Sequence, residues 1–231
     1  MIPAAGKAKG TVILFHGYTA CKSQELDRAE PLIRDGYNCL LVDFMGSGGS
    51  AANSTTVGFK EAEEVKDCFE YIKNTGEHNV FLYGSSMGAV AIMKAINDYN
   101  IAPDAIIIDC PFGTMYETVA IRFRNLGVPP VPMAAILLFL GGLQNGFWGF
   151  SHNPESYAKN VHCPVLLQYG AKDDRVTRGE IDRIYANLGG RKRLVIYPLS
   201  GHDDYLVKNG TEWCGHVLGY LSSCPGGSAV R

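Results

Sequence analysis

Between positions 80 and 88 an apolar run, Val80-Phe81-Leu82-Tyr83, drives straight into Gly84-Ser85-Ser86-Met87-Gly88. A Gly-x-Ser-x-Gly at the end of a β-type run has few ways to fold. A strand ends, the chain turns sharply, and a helix begins, with the central serine at the tip of the turn in strained geometry. The flanking glycines follow from sterics, since a Cβ at either position would meet the neighbouring strand or helix. Apolar residues then return at helical spacing in Val90, Ile92, Met93 and Ile96, the helix that such a turn requires. In a chain with 27 glycines the pattern alone could be chance. The strand before it and the helix after it give it meaning.

An exposed serine hydroxyl becomes a nucleophile only beside a base, and the base needs an orienting carboxylate. Both follow downstream. Val165-Leu166-Leu167-Gln168-Tyr169-Gly170 reads as a buried strand leading into Ala171-Lys172-Asp173-Asp174. Residues 193–197 read as the next strand, leading into Leu199-Ser200-Gly201-His202. Asp173 and His202 thus each lie just past the C-terminal end of a strand, where open α/β sheets place their sites. Asp174 adjoins Asp173 and is the alternative acid. Asp109 reads as structural, and Asp203 and Asp204 as turn or helix-cap residues. His78, His152, His162 and His216 have no motif around them and read as ordinary surface or packed histidines. A base of this kind is expected to titrate near a free imidazole, roughly pH 6–7.

The rest of the chain alternates strands and helices, the mark of a mostly parallel sheet with helices on both faces. Strands are expected at 11–16, 38–43, 79–84, 104–109, 164–169 and 193–197. A helix at 58–73 carries the stripe Val65, Cys68, Phe69, Ile72. Another at 178–188 carries Ile181, Ile184, Tyr185 and Leu188, and the last carries Trp213, Val217, Tyr220 and Leu221. At 231 residues and 46% hydrophobic content the chain can bury a full core as one domain, 1–231. A net charge of −2 with no basic block excludes a nucleic-acid partner. Seven scattered cysteines read as small buried hydrophobes, and a Cys214–Cys224 bridge is not expected. No His/Cys/Asp cluster has metal-ligand spacing, so neither metal nor cofactor is expected. The first ten residues lack the apolar segment of a signal peptide, which favours the cytoplasm.

These motifs together resemble the α/β-hydrolase superfamily over nearly the whole chain. Gly170-x-x-Asp173-x-x-Val176 is similar to the family's acid loop and favours Asp173 over Asp174. Ser200-Gly201-His202 resembles its histidine loop. Phe15-His16-Gly17-Tyr18 resembles the turn after its third strand. Asp43-Phe44-Met45-Gly46-Ser47-Gly48-Gly49-Ser50 resembles its Asp-x-Arg-Gly-x-Gly-x-Ser loop, with Met45 in place of arginine. The resemblance implies an α/β-hydrolase fold and a serine hydrolase with a catalytic triad of Ser86, Asp173 and His202. It also implies an oxyanion hole made by the backbone N–H groups of Tyr18 and Met87, with His16 fixing the backbone of its turn. A small-molecule acyl ester is the expected substrate, with thioesters and peptides as alternatives. A ligand-binding protein on a hydrolase scaffold is the rival of another class. The family usually begins with two strands before the His-Gly turn. Only ten residues precede Thr11, so that edge pair is expected to be absent. Oligomeric state is left open.

An insertion at 111–162 stands where this family keeps its cap. Residues 126–143 carry no charged or polar side chain, but Pro129, Pro130 and Pro132 leave only 133–143 as uninterrupted helix. That is far short of the roughly 20 residues a bilayer needs. The run therefore reads as a short apolar helix over the site. Phe139, Phe147, Trp148 and Phe150 either line an acyl pocket or pack the cap onto the core, and contact with lipid or a partner is a third reading.

Overall fold

Strands that stay apolar at every position belong in a sheet covered on both faces. In the computed structural model, which describes residues 1–224, β1 (Thr11–Phe15) is buried along its whole length. It pairs in parallel with β2 (Asn38–Val42) on one side and with β3 (Val80–Ser85) on the other. Beyond β3 follow β4 (Ala105–Asp109), β5 (Val165–Gly170) and β6 (Lys192–Tyr197). The result is a six-stranded, all-parallel sheet of order β2-β1-β3-β4-β5-β6. Each strand starts and ends within a residue of its expected position. Among the described residues no strand precedes β1. Instead Ile2 makes an isolated antiparallel bridge to Cys39.

In chain order the α-helices are α1 (Leu26–Arg34), α2 (Glu61–Asn74), α3 (Met87–Tyr99), α4 (Met115–Asn125), α5 (Met133–Asn145), α6 (Pro154–Tyr157), α7 (Arg178–Asn187) and α8 (Tyr205–Ser222). Alternate strand residues serve opposite faces. Ile13, Phe15, Leu82 and Ile108 pack with Val65 and Phe69 of α2, Val90 of α3, and Ile181 and Ile184 of α7. Val12, Leu14, Phe81 and Ile107 pack with Leu32 of α1 and with Trp213, Val217 and Leu221 of α8. The three expected helical stripes therefore carry packing. Helix α2 starts three residues later than its stripe suggests. Val57 and Gly58 adopt positive φ (57° and 98°), and the Glu61 carboxylate accepts the N–H groups of Thr56 (2.8 Å) and Gly58 (2.9 Å), tying the loop back to the helix start. All seven cysteines are free, so Cys214 and Cys224 are not bridged.

The segment between β4 and β5 holds α4, α5, a 3-10 turn at Gly149–Ser151 and α6. Thr114 caps α4 by accepting the Glu117 N–H at 3.1 Å. Helix α5 buries only Ala134, Leu138 and Gly142, one residue per turn. That stripe rests on Val119 and Ala120 of α4 and on Gly149. Met133, Ile136, Leu137, Phe139, Leu140 and Leu143 are exposed. No helix among the described residues is long and apolar enough to cross a membrane.

Candidate active site

The sheet order puts the C-terminal ends of β1 and β3 side by side at the point where β2 departs to the opposite side. Crevices at such switch points are where open α/β sheets bind ligands. Here β3 runs out at Ser85, and Ser86 turns the chain with φ 49° and ψ −104° before α3 begins at Met87. Its N–H donates to the Asp109 carbonyl (2.8 Å), and its own carbonyl accepts from Val90 (3.1 Å). The glycines are sterically required. A Cβ on Gly84 would lie 2.6 Å from the Ala89 nitrogen, and one on Gly88 would lie 2.3 Å from the Phe15 oxygen.

Two loops from distant parts of the chain close on this serine. The His202 Nε2 stands 3.1 Å from the Ser86 Oγ, and Nδ1 stands 2.8 Å from Oδ2 of Asp173. Asp173 is itself fixed, since Oδ1 accepts the N–H groups of Arg175 and Val176, both at 2.8 Å. Asp174 is exposed, and its carboxylate has no hydrogen bond or ion pair among the described residues. The acid and histidine loops are zipped together by the Lys172 N–H to the Ser200 carbonyl (2.8 Å) and the Ala171 N–H to the Tyr197 carbonyl (3.0 Å). Tyr18 lines the cavity at Ser86. Met87 opens α3, where the first-turn N–H groups have no partner inside the helix. His16 is fully buried, its Nε2 accepting the Phe44 N–H (3.1 Å) and its Nδ1 donating to the Gly17 carbonyl (2.7 Å). It therefore holds the turn that carries Tyr18. His152 is packed inside, between the Tyr157 hydroxyl and the Val57 carbonyl, and burial drops it to about 4. Asp203 accepts from the Gly201 N–H and from Lys208, and Asp204 caps α8 by accepting the Leu206 N–H.

Sequence reasoning missed two neighbours of this line. Cys110, read as a small buried hydrophobe, follows β4, and its Sγ lies 4.0 Å from the His202 Nε2. Cys110, Asp173 and His202 form the one group of three ligand-type side chains, among the described residues, close enough to share an ion. Asp173 already accepts three hydrogen bonds, so an ion there would have to break the Asp173–His202 contact. Burial works against the imidazolium of His202. The Cys110 sulfur beside it and the hydrogen bond to Asp173 outweigh it and raise the group to about 10. The sequence expectation of an ordinary imidazole is corrected upward.

The second neighbour is a polar ladder beneath the site that crosses four strands. Tyr83 of β3 donates to Asp109 of β4. Gln168 of β5 donates to Asp109 at 2.8 Å, and Tyr197 of β6 donates to Gln168 at 2.6 Å. Arg28 lies over the Tyr83 ring and bridges Glu25 (3.0 Å) and Asp204 (2.9 Å). Burial raises Asp109 to about 7, against the pull of Arg28 and its hydrogen bonds. Asp109 is structural, as expected, and its main chain also fixes Ser86. No motif marks the ladder, because only strand register aligns its members.

The cavity at Ser86, about 430 Å³, is lined by Gly17, Tyr18, Ser85, Cys110 and His202 together with charged residues of α1, α4 and the acid loop. No residue of α5 lines it. Phe139, Phe147 and Trp148 line a separate groove of about 350 Å³. Phe147 stacks on Phe59, with ring centroids 4.0 Å apart, while Trp148 and Phe150 pair with each other. The expected roof is thus corrected. Helix α5 packs on the far side of α4, and α4 is the helix that meets the cavity, through Arg122.

Comparison with known proteins agrees with this architecture. A family model described as serine aminopeptidase, S33, matches residues 6–140. The chain is 29% identical over 203 residues to the uncharacterized protein YqkD of Bacillus subtilis, covering 86% of this chain and 67% of that one. It is 26% identical to dipeptidyl peptidase family member 6 of Caenorhabditis elegans, covering 98% of this chain and 32% of that protein. Among solved structures, the Pyrococcus furiosus esterase Pf2001 superimposes with a TM-score of 0.77 at 24% identity, over 93% of this chain and 82% of that one. This chain belongs to the serine aminopeptidase S33 family of α/β-hydrolase serine hydrolases.

Proposed function

We propose that the chain hydrolyses carboxylic esters of small to medium acyl groups through an acyl-enzyme on Ser86. The observation that carries this reading is the unbroken hydrogen-bonded line from Asp173 through His202 to Ser86. Neutral His202 takes the proton from the Ser86 hydroxyl as the oxygen bonds to the ester carbonyl carbon. The backbone N–H groups of Tyr18 and Met87 receive the oxyanion, a contact worth on the order of 3 kcal/mol per donor. The C–O bond to the alcohol then breaks, and His202 returns the proton to the departing oxygen. Water repeats the sequence to release the acid and restore Ser86. Asp173 holds the imidazole in the tautomer with Nδ1 protonated. Seven free cysteines fit a reducing compartment, so the cytoplasm is the proposed place of work. A peptidase reading has the name of a relative behind it. Glu25 and Asp204, two acids at the cavity that could take a substrate ammonium, are instead already paired with Arg28.

The test is fluorophosphonate labelling followed by a panel of ester, thioester and amide substrates scored by kcat/KM. Wild type labels and Ser86→Ala does not. Asp173→Asn lowers kcat by orders of magnitude, while Asp174→Asn acts weakly. Labelling that survives Ser86→Ala sinks the reading. A panel led by amides or thioesters moves the chain to that class.

A further inference from the structure

Eleven of the eighteen large apolar side chains exposed among the described residues lie in one stretch, 126–150. Six belong to α5, and positions 133, 136, 137, 139, 140 and 143 spread over about half the circumference of a helix. Leu126, Val128 and Val131 extend the face before α5, and Trp148 and Phe150 extend it after. The pieces meet, since the Phe139 and Trp148 rings are 6.1 Å apart and those of Trp148 and Phe150 are 5.1 Å apart. An apolar surface of this extent marks an interface. Its shape narrows the partner. Helix α5 already spends the stripe Ala134, Leu138, Gly142 on its neighbours. What remains is a convex ridge. A second copy meeting it along one helical seam would leave both flanks in water, whereas a fluid layer of acyl chains closes around a ridge without a matching shape. The helix cannot cross such a layer, because 13 residues reach about 20 Å against a hydrocarbon core of about 30 Å. It can lie along the surface. Charge agrees. From 118 to 154 the chain carries two arginines, Arg122 and Arg124, and no acid. Both are exposed on α4, against which α5 packs, and no carboxylate pairs with either among the described residues. Outside the segment, Arg175 adjoins the free acid Asp174, whose carbonyl accepts from Asn125 at the end of α4 (2.9 Å), and Arg122 shares the cavity lining with Asp27 of α1. Those charges balance in pairs, and Arg124 leaves the rim positive.

We propose that the 126–150 face seats the protein on a lipid bilayer, with α5 lying along the interface and its outer side chains among the acyl chains. Trp148, apolar in body and polar at its indole N–H, stands at the boundary where such rings collect. Arg124 adds a modest preference for anionic headgroups, about fivefold in binding for one arginine at the surface.

The experiment floats the full chain with vesicles of phosphatidylcholine, alone or mixed equally with phosphatidylglycerol, and follows its fluorescence. The chain has two tryptophans and Trp213 is fully buried, so a change in emission reports on Trp148. Wild type co-floats with the vesicles, its emission moves to the blue, and lipid brominated on the acyl chains quenches it. Leu137→Asp with Leu140→Asp lowers partitioning at least tenfold and leaves the urea midpoint unchanged, since both side chains already stand in water. Mixed vesicles bind about fivefold more tightly than neutral ones, high salt erases the gain, and so does Arg124→Gln. Wild type that neither floats nor is quenched overturns the proposal. So does flotation that survives the double substitution, which places the contact on another surface. A dimer in sedimentation that the double substitution splits, from a wild type that ignores vesicles, gives the face to a second copy and overturns it as well. Equal binding to both vesicle types strikes out the part given to Arg124. If the double variant does not fold, quenching of Trp148 in the wild type decides alone. No readout needs turnover, so the outcome stands apart from the ester reading.

Discussion

Cys110 changes what His202 must do before it can act. A general base has to be neutral, and the Cys110 sulfur and Asp173 both favour the charged imidazolium. On the mechanism proposed above, activity belongs to the alkaline side of the His202 ionisation. The acid limb of kcat/KM is expected above the ordinary imidazole range, and Cys110→Ala should move it down. Limbs that coincide in the two proteins would remove Cys110 from the account. At this scale the sequence was legible where chemistry imposes a pattern. Ser86 stood inside its glycines, His202 past its strand, and the acid was narrowed to Asp173 or Asp174. Of that pair, Asp173 is the one that meets His202. Cys110 was not legible. It looks like any apolar residue after a strand, and it reaches His202 only because Ser85 and Asp109 are register partners, which sets the next residues, Ser86 and Cys110, level.

Helix α5 shows where pattern reading stops. An all-apolar helix reads as buried on every side, and its existence and length were legible from 133–143. Which face would be covered was not. That depends on α4, whose Val119 and Ala120 offer only a narrow ledge to Ala134. The consequence is a division of labour between neighbouring helices. Phe139→Ala should leave the acyl chain-length profile of the hydrolase unchanged, since its ring lines a groove apart from the cavity at Ser86. Leu138→Ala should lower stability by about 2–4 kcal/mol, because its side chain fills the contact with Gly149. Urea unfolding and an acyl-chain series measure the two. A shifted chain-length optimum in Phe139→Ala would bring α5 back over the site. Helix α2 teaches a related lesson. Its stripe was right, but the left-handed Val57 and Gly58 delay its start, and periodicity carries no such signal.

For the molecule as a whole, the sheet was the most legible feature, since runs buried on both faces admit few other placements. The ladder from Tyr83 to Tyr197 was the least legible, being assembled from four strands. It has a thermodynamic signature. The Asp109 carboxyl is raised from 3.8 to about 7 in the fold, so between those values the folded chain keeps a proton that the unfolded chain releases. Its contribution is fully present below about pH 4 and is lost as pH rises through about 7. Asp109→Asn should flatten stability against pH across that window, measured as urea midpoints against wild type. Parallel curves would refute the assignment. The backbone of Ser86 has a broader consequence. Its φ of 49° and ψ of −104° mirror the polyproline region, territory that glycine enters freely and serine does not. Holding a side chain there costs about 1–3 kcal/mol, against a total stability of about 5–15 kcal/mol for folded domains. Ser86→Gly should therefore melt a few degrees higher than wild type while losing all labelling, and Ser86→Ala, which keeps the Cβ, should not. A molecule built for sturdiness alone would carry glycine here, so the strain at Ser86 is stability given up to present a hydroxyl at the turn.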